Sequence, residues 1–578
     1  MSTKDDTPKG MRKGLTSYGD AGFSLFLRKA FIKGMGYSDA ALDRPIIGII
    51  DTGSDYNACH GNMADLVEAA KRGVMLAGGL PIPFPTISIH ESFSHPTSMY
   101  LRNLMAIDTE EMIRAQPMDA VVMIGGCDKT VPAQLMGAAS ANLPAIQLVT
   151  GPMRTGSHRG EKVGACTDCR RFWGRYRAGE IDDQEITEVN DQLVPGTGTC
   201  GVMGTASTMA LVTEALGMMA PGGACAPAVS ADRRRIAERS GELAVQMAAA
   251  GLTPDKIMTE AAFENALAVL LAVGGSTNAI IHLTAVAGRM GIKIDLDKFD
   301  ALGRKIPVLV DLKPSGTQYM EDLHAAGGLV TVLRELREHL NLDCLTVTGR
   351  TLGEEIDDAP TGFAQNVVSN REAPLFAEGG MAVLRGNLAP RGAIIKQSAA
   401  NPDLMVHRGR AVVFNSIEDL TRRVDLPELD VTKDDILVLQ NAGPKGAPGM
   451  PEAGYMPIPR KLAEQGVKDM VRISDARMSG TASGTIILHV TPEAASGGPL
   501  ALVRDGDEIE LNVPDRAITL HVSEDILAER RAELSVPVHP NSDRGYRKLF
   551  LETVTEADLG CDFDFLVPVP QATGQADG

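Results

Sequence analysis

Three cysteines stand apart in glycine-rich surroundings, and their thiols are the groups of this chain best suited to chemistry. They are Cys59 in "DYNACHGN", Cys127 in "GGCDKTVPA" and Cys200 in "PGTGTCGVMGT". Three thiolates gathered by folding could hold an iron-sulfur cluster in which one iron lacks a protein ligand. Such an iron acts as a Lewis acid toward a substrate oxygen. The three cysteines therefore favour a catalytic cluster over an electron carrier.

Oxygen ligands for a hard divalent cation lie in loops of similar composition. Glu91 is found in "SIHESFSHP", Asp128 follows Cys127 directly, and Glu452 is found in "KGAPGMPEAGY". Mg²⁺ prefers a few carboxylates and leaves its other positions to water and substrate. These acids are candidate magnesium ligands, although each alone could equally be a solvated or capping side chain.

A candidate base lies in the segment "RISDARMSGTASGTIILHV", where Ser479 occupies a turn rich in Ser, Gly and Thr before a predicted strand. A serine held near metal ions has a lowered hydroxyl pKa, so its alkoxide can remove a proton. The alternative interpretation is an ordinary turn without a chemical role.

The remaining cysteines give weaker signals. Cys166 and Cys169 form a C-x-x-C pair in "GACTDCRRF", a spacing typical of zinc sites and redox dithiols. No second pair follows in the sequence at zinc-ribbon spacing. We therefore expect an exposed surface element here, and we expect Cys225, Cys344 and Cys561 to be structural.

The elements that must position these side chains change character along the chain. From about residue 43 to residue 390, buried runs such as "PIIGII", "AVVMIGG" and "AIQLVTG" alternate with helical patterns. This alternation predicts a parallel sheet, whose loops at the carboxyl ends of the strands usually carry the chemistry. Helices opening in Gly/Thr/Ser turns, after Cys200 and at Ser276, are expected to wall the site.

Beyond about residue 390, short β-branched runs separated by Gly, Pro and Asp predict a β-barrel or sandwich. The fold class is thus α/β: a parallel-sheet N-terminal domain over residues 1–380, followed by a C-terminal β domain over residues 381–578. The boundary is expected between residues 375 and 390. "RDGDEIELNVPDRAITLHV" predicts consecutive hairpins, and the tail "VPQATGQADG" is expected to be disordered.

Composition excludes several partner classes. The net charge of −18 argues against nucleic acid and anionic membranes, which require a concentrated basic face. The longest apolar stretch, residues 266–287, is interrupted by Gly274, Gly275 and His282, so it predicts a buried helix rather than a membrane span. Eight scattered cysteines and a polar N-terminus predict a cytoplasmic protein.

Long motifs in a fixed order carry a resemblance that covers nearly the whole chain. They include "CDKTVPAQLMGA", "GTASTMALVTEALGM", "GGSTNAIIHLTAVAGRMGI", "LRGNLAPRGAIIK", "LQNAGPKGAPGMPE" and "RISDARMSGTASG". In these motifs the chain resembles the dihydroxy-acid dehydratase and phosphogluconate dehydratase family, which also contains the sugar-acid (aldonate) dehydratases. The segment "GTCGVMGTASTM" resembles the sugar-acid branch more than the branched-chain amino-acid branch.

The resemblance implies a set of roles for residues of this sequence. A two-iron two-sulfur cluster would be bound by Cys59, Cys127 and Cys200. Ser479 would be the base, and Thr481 beside it a substrate contact. Mg²⁺ would be held by four side chains: Glu91, Asp128, Glu452 and a carbamylated Lys129. The resemblance also implies a C-terminal β-barrel that closes over the cluster domain, and a homodimer or homotetramer.

The predicted function is a hydro-lyase that converts 2,3-dihydroxy carboxylic acids into 2-oxo acids. Ser479 would remove the C2 proton and the 3-hydroxyl would leave as water, without net redox change. Branched-chain dihydroxy acids and aldonates such as gluconate, xylonate and arabinonate both remain open as substrates. The region "SHRGEKVGACTDCRRFWGRYRAGEI" lies outside the shared motifs and is expected to affect specificity or a subunit contact.

Two other classes of function remain open from the residues. An electron-transfer or redox-sensing iron-sulfur protein would require a fourth cysteine ligand. A zinc-dependent hydrolase would use Cys166 and Cys169 with a histidine such as His158.

Overall fold

The computed structural model describes residues 9–15, 17–535 and 537–568, so the predicted disordered tail lies outside the described residues. Its first region contains a four-stranded parallel sheet in the order β2–β1–β3–β4. Helices cover the sheet, and most strand residues are therefore buried and apolar, as is typical of parallel sheets. This confirms the three predicted strands, which are β1 (Ile46–Asp51), β3 (Ala120–Ile124) and β4 (Ala145–Leu148). The sheet also contains β2 (Leu80–Pro85), which was not predicted.

Sixteen α-helices and a small hairpin, β5 (Gly156–His158) and β6 (Glu161–Val163), complete this region within the described residues. The helices are α1 (Ala21–Gly34), α2 (Asp39–Leu42), α3 (Met63–Leu76), α4 (Ser98–Ala115), α5 (Thr130–Ala141), α6 (Thr167–Arg177), α7 (Asp183–Leu193), α8 (Thr205–Ala215), α9 (Ala231–Ala250), α10 (Pro254–Ile257), α11 (Glu260–Ala272), α12 (Asn278–Arg289), α13 (Leu296–Gly303), α14 (Met320–Ala325), α15 (Leu329–Glu335) and α16 (Leu352–Asp358).

Helices α3 and α9 cross closely beside the sheet. A Cβ atom at Gly73 of α3 would lie 1.8 Å from the carbonyl oxygen of Glu238 on α9. Only glycine permits this approach, which brings the two helix backbones together over the strands.

The apolar stretch from residue 266 to residue 287 is buried and helical, as predicted, and it is divided between two helices. Helix α11 ends at Ala272, and α12 begins at Asn278. Gly274 between them has φ +57°, a left-handed conformation that ends the first helix. In the described part of the chain, no helix combines the length and apolar character that a membrane crossing needs.

The second region is a closed eight-stranded barrel in the order β10–β11–β12–β8–β7–β14–β13–β9, which confirms the barrel prediction. Neighbouring strands from β9 to β12 are parallel, whereas the other pairings except β14–β7 are antiparallel. The strands are β7 (Ala382–Gly386), β8 (Ala389–Ile395), β9 (Val406–Phe414), β10 (Ile436–Leu439), β11 (Arg472–Ser474), β12 (Ile486–Thr491), β13 (Glu508–Asn512) and β14 (Ala517–Leu520). Of the consecutive hairpins predicted for residues 504–522, the described residues form one, β13–β14.

In the described part of the barrel sequence there are four helices: α17 (Ile417–Arg423), α18 (Arg460–Ala463), α19 (Glu524–Ala532) and α20 (Gly545–Thr553). The last segment returns to the first region. The Phe550 ring on α20 lies 4.9 Å from the Tyr100 ring on α4, and the buried Arg102 donates hydrogen bonds to the carbonyls of Gly560 and Cys561. The end of the chain thus links the barrel region to the helices around the sheet.

Candidate active site

The loops that follow three adjacent parallel strands bring the first candidate residues together. Cys59 lies in a 3₁₀ turn, Ala58–His60, after β1, and Cys127 lies just beyond β3. Glu91 begins the 3₁₀ turn Glu91–Phe93 after β2. Because the carboxyl ends of parallel strands share one edge of the sheet, these loops meet there.

His60 fixes the Cys59 loop against the Cys127 loop. Its Nε2 accepts hydrogen bonds from the backbone N–H groups of Gly126, at 2.9 Å, and Cys127, at 3.0 Å. An acceptor at Nε2 requires the ring proton on Nδ1, which donates to the Thr52 carbonyl at 2.8 Å. Burial lowers the pKa of His60 to about 4, so the ring stays neutral in this role. The sequence analysis missed His60, although it directly follows Cys59.

The sulfurs form two close groups. The Cys59 and Cys127 sulfurs and a His90 ring nitrogen all lie within 4.8 Å of one another. Cys200 continues the edge beyond β4, because Thr199 forms backbone hydrogen bonds with Gly151 and Met153. Its Sγ lies 3.2 Å from Cys166 Sγ.

The thiol pKa values connect the two groups. Hydrogen bonding to Cys127 and burial raise the pKa of Cys59. The charge of Cys166 also raises the pKa of Cys59. Hydrogen bonding to Cys166 and burial raise the pKa of Cys200. Thiols in this environment keep their protons, and a bound cation would have to stabilise the thiolates.

The prediction that Cys166 and Cys169 form an exposed surface pair is wrong, because both side chains are half-buried. Cys166 caps the start of α6 with φ +77°, and its backbone N–H donates to Cys169 Sγ at 3.1 Å. The short spacing therefore serves to hold the Cys166 thiol against Cys200. Among the described residues, the metal-ligand groups found do not combine Cys166, Cys169 and His158, which argues against the zinc hydrolase.

The carboxylates converge from both regions of the fold. Oxygen atoms of Glu91, Asp128 and Glu452 all lie within 4.8 Å of one another. Glu452 opens a 3₁₀ turn, Glu452–Tyr455, in the loop after β10. The buried Lys129 places its Nζ 3.0 Å from Glu91 Oε2 and 3.7 Å from Asp128 Oδ2. The structure thus gathers the four predicted magnesium ligands at one place, and the ligand role itself stays a prediction.

Arg477 joins this carboxylate group, a contact that the sequence analysis did not assign. Its guanidinium is buried and lies 2.9 Å from Glu91 Oε1 and 2.6 Å from Glu452 Oε1. Burial opposes ionisation of Glu91, but the charges of Arg477 and Lys129 hold its pKa well below the usual value. Burial and the Glu91 charge instead raise the pKa of Glu452. The acids therefore carry excess negative charge that a cation can share.

Ser479 and Thr481 lie in the loop after β11, with their hydroxyl oxygens 2.8 Å apart and both side chains buried. The starts of α8 and α12 wall this loop, as predicted. A Cβ at Gly480 would lie 2.4 Å from Ser276 Cβ, so the loop packs against the α12 start only with glycine there. Thr167 at the start of α6 donates to the Thr481 carbonyl at 3.0 Å.

Lys396, which directly follows β8, contacts the same loop. It is fully buried and donates to the Gly480 carbonyl at 3.0 Å. Burial lowers its pKa to about 7 from a usual value of 10.5. No role for Lys396 was predicted from the sequence, although it ends the motif "LRGNLAPRGAIIK".

A cavity of about 1120 Å³ opens over this loop, between α6, α7 and the barrel loops. Thr481, Cys169, Arg170 and Tyr455 line it. A volume of this size exceeds what a five- or six-carbon acid needs, and binding clefts of several hundred Å³ are typical of small-molecule sites.

Comparison with known proteins identifies the family of this chain. The sequence profile "Dihydroxy-acid/6-phosphogluconate dehydratase N-terminal" matches residues 44–355, and its C-terminal counterpart matches residues 366–561. The L-arabinonate dehydratase of Rhizobium leguminosarum bv. trifolii is 47% identical over 98% of this chain and 98% of its own length.

Two further relatives are named for a sugar-acid dehydratase and for a dihydroxy-acid dehydratase. The 6-deoxy-6-sulfo-D-gluconate dehydratase of Pseudomonas putida is 46% identical over 91% of each chain. The dihydroxy-acid dehydratase of Acetivibrio thermocellus is 37% identical over 92% of this chain and 96% of its own length. The profiles and relatives cover almost the whole sequence, and the chain therefore belongs to the dihydroxy-acid/6-phosphogluconate dehydratase family.

Proposed function

We propose that this protein is a hydro-lyase that removes water from 2,3-dihydroxy carboxylic acids to give 2-oxo acids, with sugar acids as its main substrates. The observation that carries the proposal is the loop of consecutive residues Cys127, Asp128 and Lys129. This loop contributes to the sulfur group and to the carboxylate group at once. A substrate held there could contact a thiolate-bound metal with one oxygen and a carboxylate-bound metal with another.

The donor atoms suit the two cofactors that we assign. Cys59, Cys127 and Cys200 would hold a 2Fe-2S cluster, and Glu91, Asp128 and Glu452 would hold Mg²⁺. As an ammonium group Lys129 would repel the cation. Loss of one proton would give the neutral amine, and addition of carbon dioxide to this amine with loss of a second proton would give an anionic carbamate, which is an oxygen ligand. When bound, the cluster iron supplies a Lewis acid for the leaving hydroxyl and Mg²⁺ supplies one for the substrate carboxylate.

The protein's own residues then perform the proton transfer. Ser479 acts as the base for the C2 proton, and Thr481 fixes the serine oxygen through their mutual hydrogen bond. Lys396 holds the Gly480 carbonyl and so limits the movement of the serine loop. Arg477 keeps Glu91 ionised and orients Glu452.

Further parts of the assignment complete the proposal. We assign residues 1–380 to the cluster domain and residues 381–578 to the barrel domain, which supplies Ser479 and Glu452. The relatives named for arabinonate and sulfogluconate support a sugar-acid substrate. We also assign a cytoplasmic location and a homodimer or homotetramer, without nucleic-acid or membrane partners.

A second function is an electron-transfer or redox-sensing iron-sulfur protein, and one observation favours it. Cys166 Sγ lies 3.2 Å from Cys200 Sγ. Two thiolates on one tetrahedral metal lie roughly 3.7 Å apart, since each metal–sulfur bond is about 2.3 Å. Cys166 is thus close enough to Cys200 to be a fourth ligand, and a cluster with four thiolates leaves no iron open.

The deciding experiment uses protein purified without oxygen and analysed for iron, sulfide and magnesium. Gluconate, xylonate, arabinonate and dihydroxyisovalerate are each supplied, and formation of the 2-oxo acid is measured with and without Mg²⁺. We expect iron and sulfide in equal amounts and Mg²⁺-dependent turnover that is fastest with a sugar acid. An intact cluster with a reversible one-electron couple and no turnover of any acid would favour the second function.

A further inference from the structure

Arg170 lies on the first turn of α6, and its guanidinium has an N–H group without a hydrogen-bond partner among the described residues. Within the described residues its Nε is buried and has no hydrogen-bond partner. Its Nη2 lies 4.0 Å from Glu452 Oε2, beyond hydrogen-bond distance. A buried donor without an acceptor is costly, so a position of this kind indicates a ligand oxygen.

The other arginines on the cavity wall do not share this property. Each is paired with carboxylates: Arg171 with Glu161 and Asp168, Arg175 with Glu180, Arg177 with Asp425, and Arg472 with Asp469. Arg170 therefore stands out as the wall arginine whose hydrogen-bonding capacity remains for a molecule in the cavity.

Aromatic stacking holds the Arg170 side chain in place. Its guanidinium carbon lies 5.0 Å from the centre of the Tyr455 ring, and the Arg472 guanidinium carbon lies 5.2 Å from the same ring. Cation–π contacts of this length restrict the side chain without using its N–H groups. Tyr455 in turn belongs to the short 3₁₀ turn that begins at Glu452.

The location of Arg170 relates it to one part of a substrate. Helix α6 is tied to the serine loop by the bond from Thr167 to the Thr481 carbonyl. Arg170, one turn further along, faces the cavity that opens outward from Thr481. If C2 and C3 of a substrate lie at Ser479 and the assigned metal ligands, the carbons beyond C3 can reach this cavity past Thr481, which lines it.

We propose that Arg170 binds the hydroxyl groups of the substrate beyond C3 and thereby selects sugar acids over branched-chain dihydroxy acids. This inference rests on the proposed function and specifies its substrate class. The Arg guanidinium carries several N–H donors, and the hydroxyl oxygens of a polyol can accept hydrogen bonds from them. A branched aliphatic tail offers no acceptor and would leave the buried Nε unsatisfied.

The test compares Arg170→Gln with Arg171→Gln, a matched change on the same helix in an arginine already paired with acids. A hydrogen bond to a charged group is worth enough that kcat/KM for gluconate should fall roughly 10- to 100-fold in Arg170→Gln. The value for 2,3-dihydroxyisovalerate should change less than about threefold. Arg171→Gln should change kcat/KM for either substrate by less than about threefold.

Binding provides a readout that does not depend on turnover. Calorimetry on the metal-loaded protein measures the affinities of the products, 2-oxo-3-deoxygluconate and 2-oxoisovalerate. The substitution Arg170→Gln should weaken the first by a similar factor and leave the second nearly unchanged. Equal losses of affinity for the two products would mean that Arg170 binds the carboxylate that they share. No loss of affinity for either product would mean that Arg170 is not part of the binding site. Both results overturn the inference, whereas wild-type protein that binds these acids but turns over no dihydroxy acid overturns the proposed function instead.

Discussion

Arg477→Gln gives the most informative perturbation of the carboxylate group. The wild-type guanidinium lies 2.9 Å from Glu91 and 2.6 Å from Glu452, and it is fully buried. Removing one partner of a buried ion pair leaves uncompensated charge and costs about 3–5 kcal/mol. In protein stripped of divalent cations, we therefore expect the free energy of unfolding to fall by that amount.

Mg²⁺ should reverse much of this loss, because it supplies positive charge to the same oxygens. A ligand that binds only the folded state stabilises it in proportion to the logarithm of its concentration over Kd. The variant, whose acids repel one another more strongly, should gain more from saturating Mg²⁺ than the wild type. The rise in Tm on adding Mg²⁺ to cluster-loaded protein measures this difference.

Arg472→Gln is the matched control, since Arg472 is also buried but pairs with Asp469. It should be destabilised without any additional response to Mg²⁺. If Arg477→Gln gained no more from Mg²⁺ than Arg472→Gln, the three acids would not be a cation site, and the electrostatic reasoning would be wrong.

Three further predictions concern the thiols and the serine loop. Ser479→Ala should keep the visible spectrum and lower kcat by about 10²- to 10⁴-fold, as expected for a lost base; a fall of less than tenfold would reject Ser479 as the base. Cys127→Ser should lose cluster absorbance while Cys225→Ser, in the core, retains it; equal retention would exclude Cys127 as a ligand. Lys396 has a folded-state pKa of about 7 against 10.5 when unfolded, so wild-type stability should rise with pH between these values. Lys396→Met should lack that rise in chemical denaturation across this pH range, and parallel pH profiles would contradict a neutral buried lysine.

The part of the site that follows parallel strands could be predicted from the sequence. Cys59 and Cys127 each come after a buried apolar run, and adjacency of β1 and β3 places their loops side by side. The barrel could likewise be predicted, because its short β-branched strands are separated by clear turn residues. The local sequence pattern is sufficient to predict a site residue when the order of the strands and the position of the loops determine where that residue lies.

Contacts between distant segments could not be predicted in this way. Cys166 reaches Cys200 because a positive φ at a helix start turns its thiol inward, and a C-x-x-C spacing says nothing about that dihedral. Arg477 meets Glu91 across 386 residues of sequence, and Lys396 reaches Gly480 from another barrel strand. The helix start near Ser276 could be predicted from its Gly-Gly-Ser-Thr turn, whereas the left-handed φ at Gly274 that ends α11 could not.

The central claim is that three thiolates hold the cluster and leave one iron open to substrate, and Cys166→Ser tests it most directly. The measurement is iron and sulfide content together with turnover of gluconate, on protein prepared without oxygen. The account predicts two iron and two sulfide per chain, as in a 2Fe-2S cluster, with activity retained. Loss of the cluster in this variant would make Cys166 a required fourth ligand and would contradict the open iron on which the elimination depends.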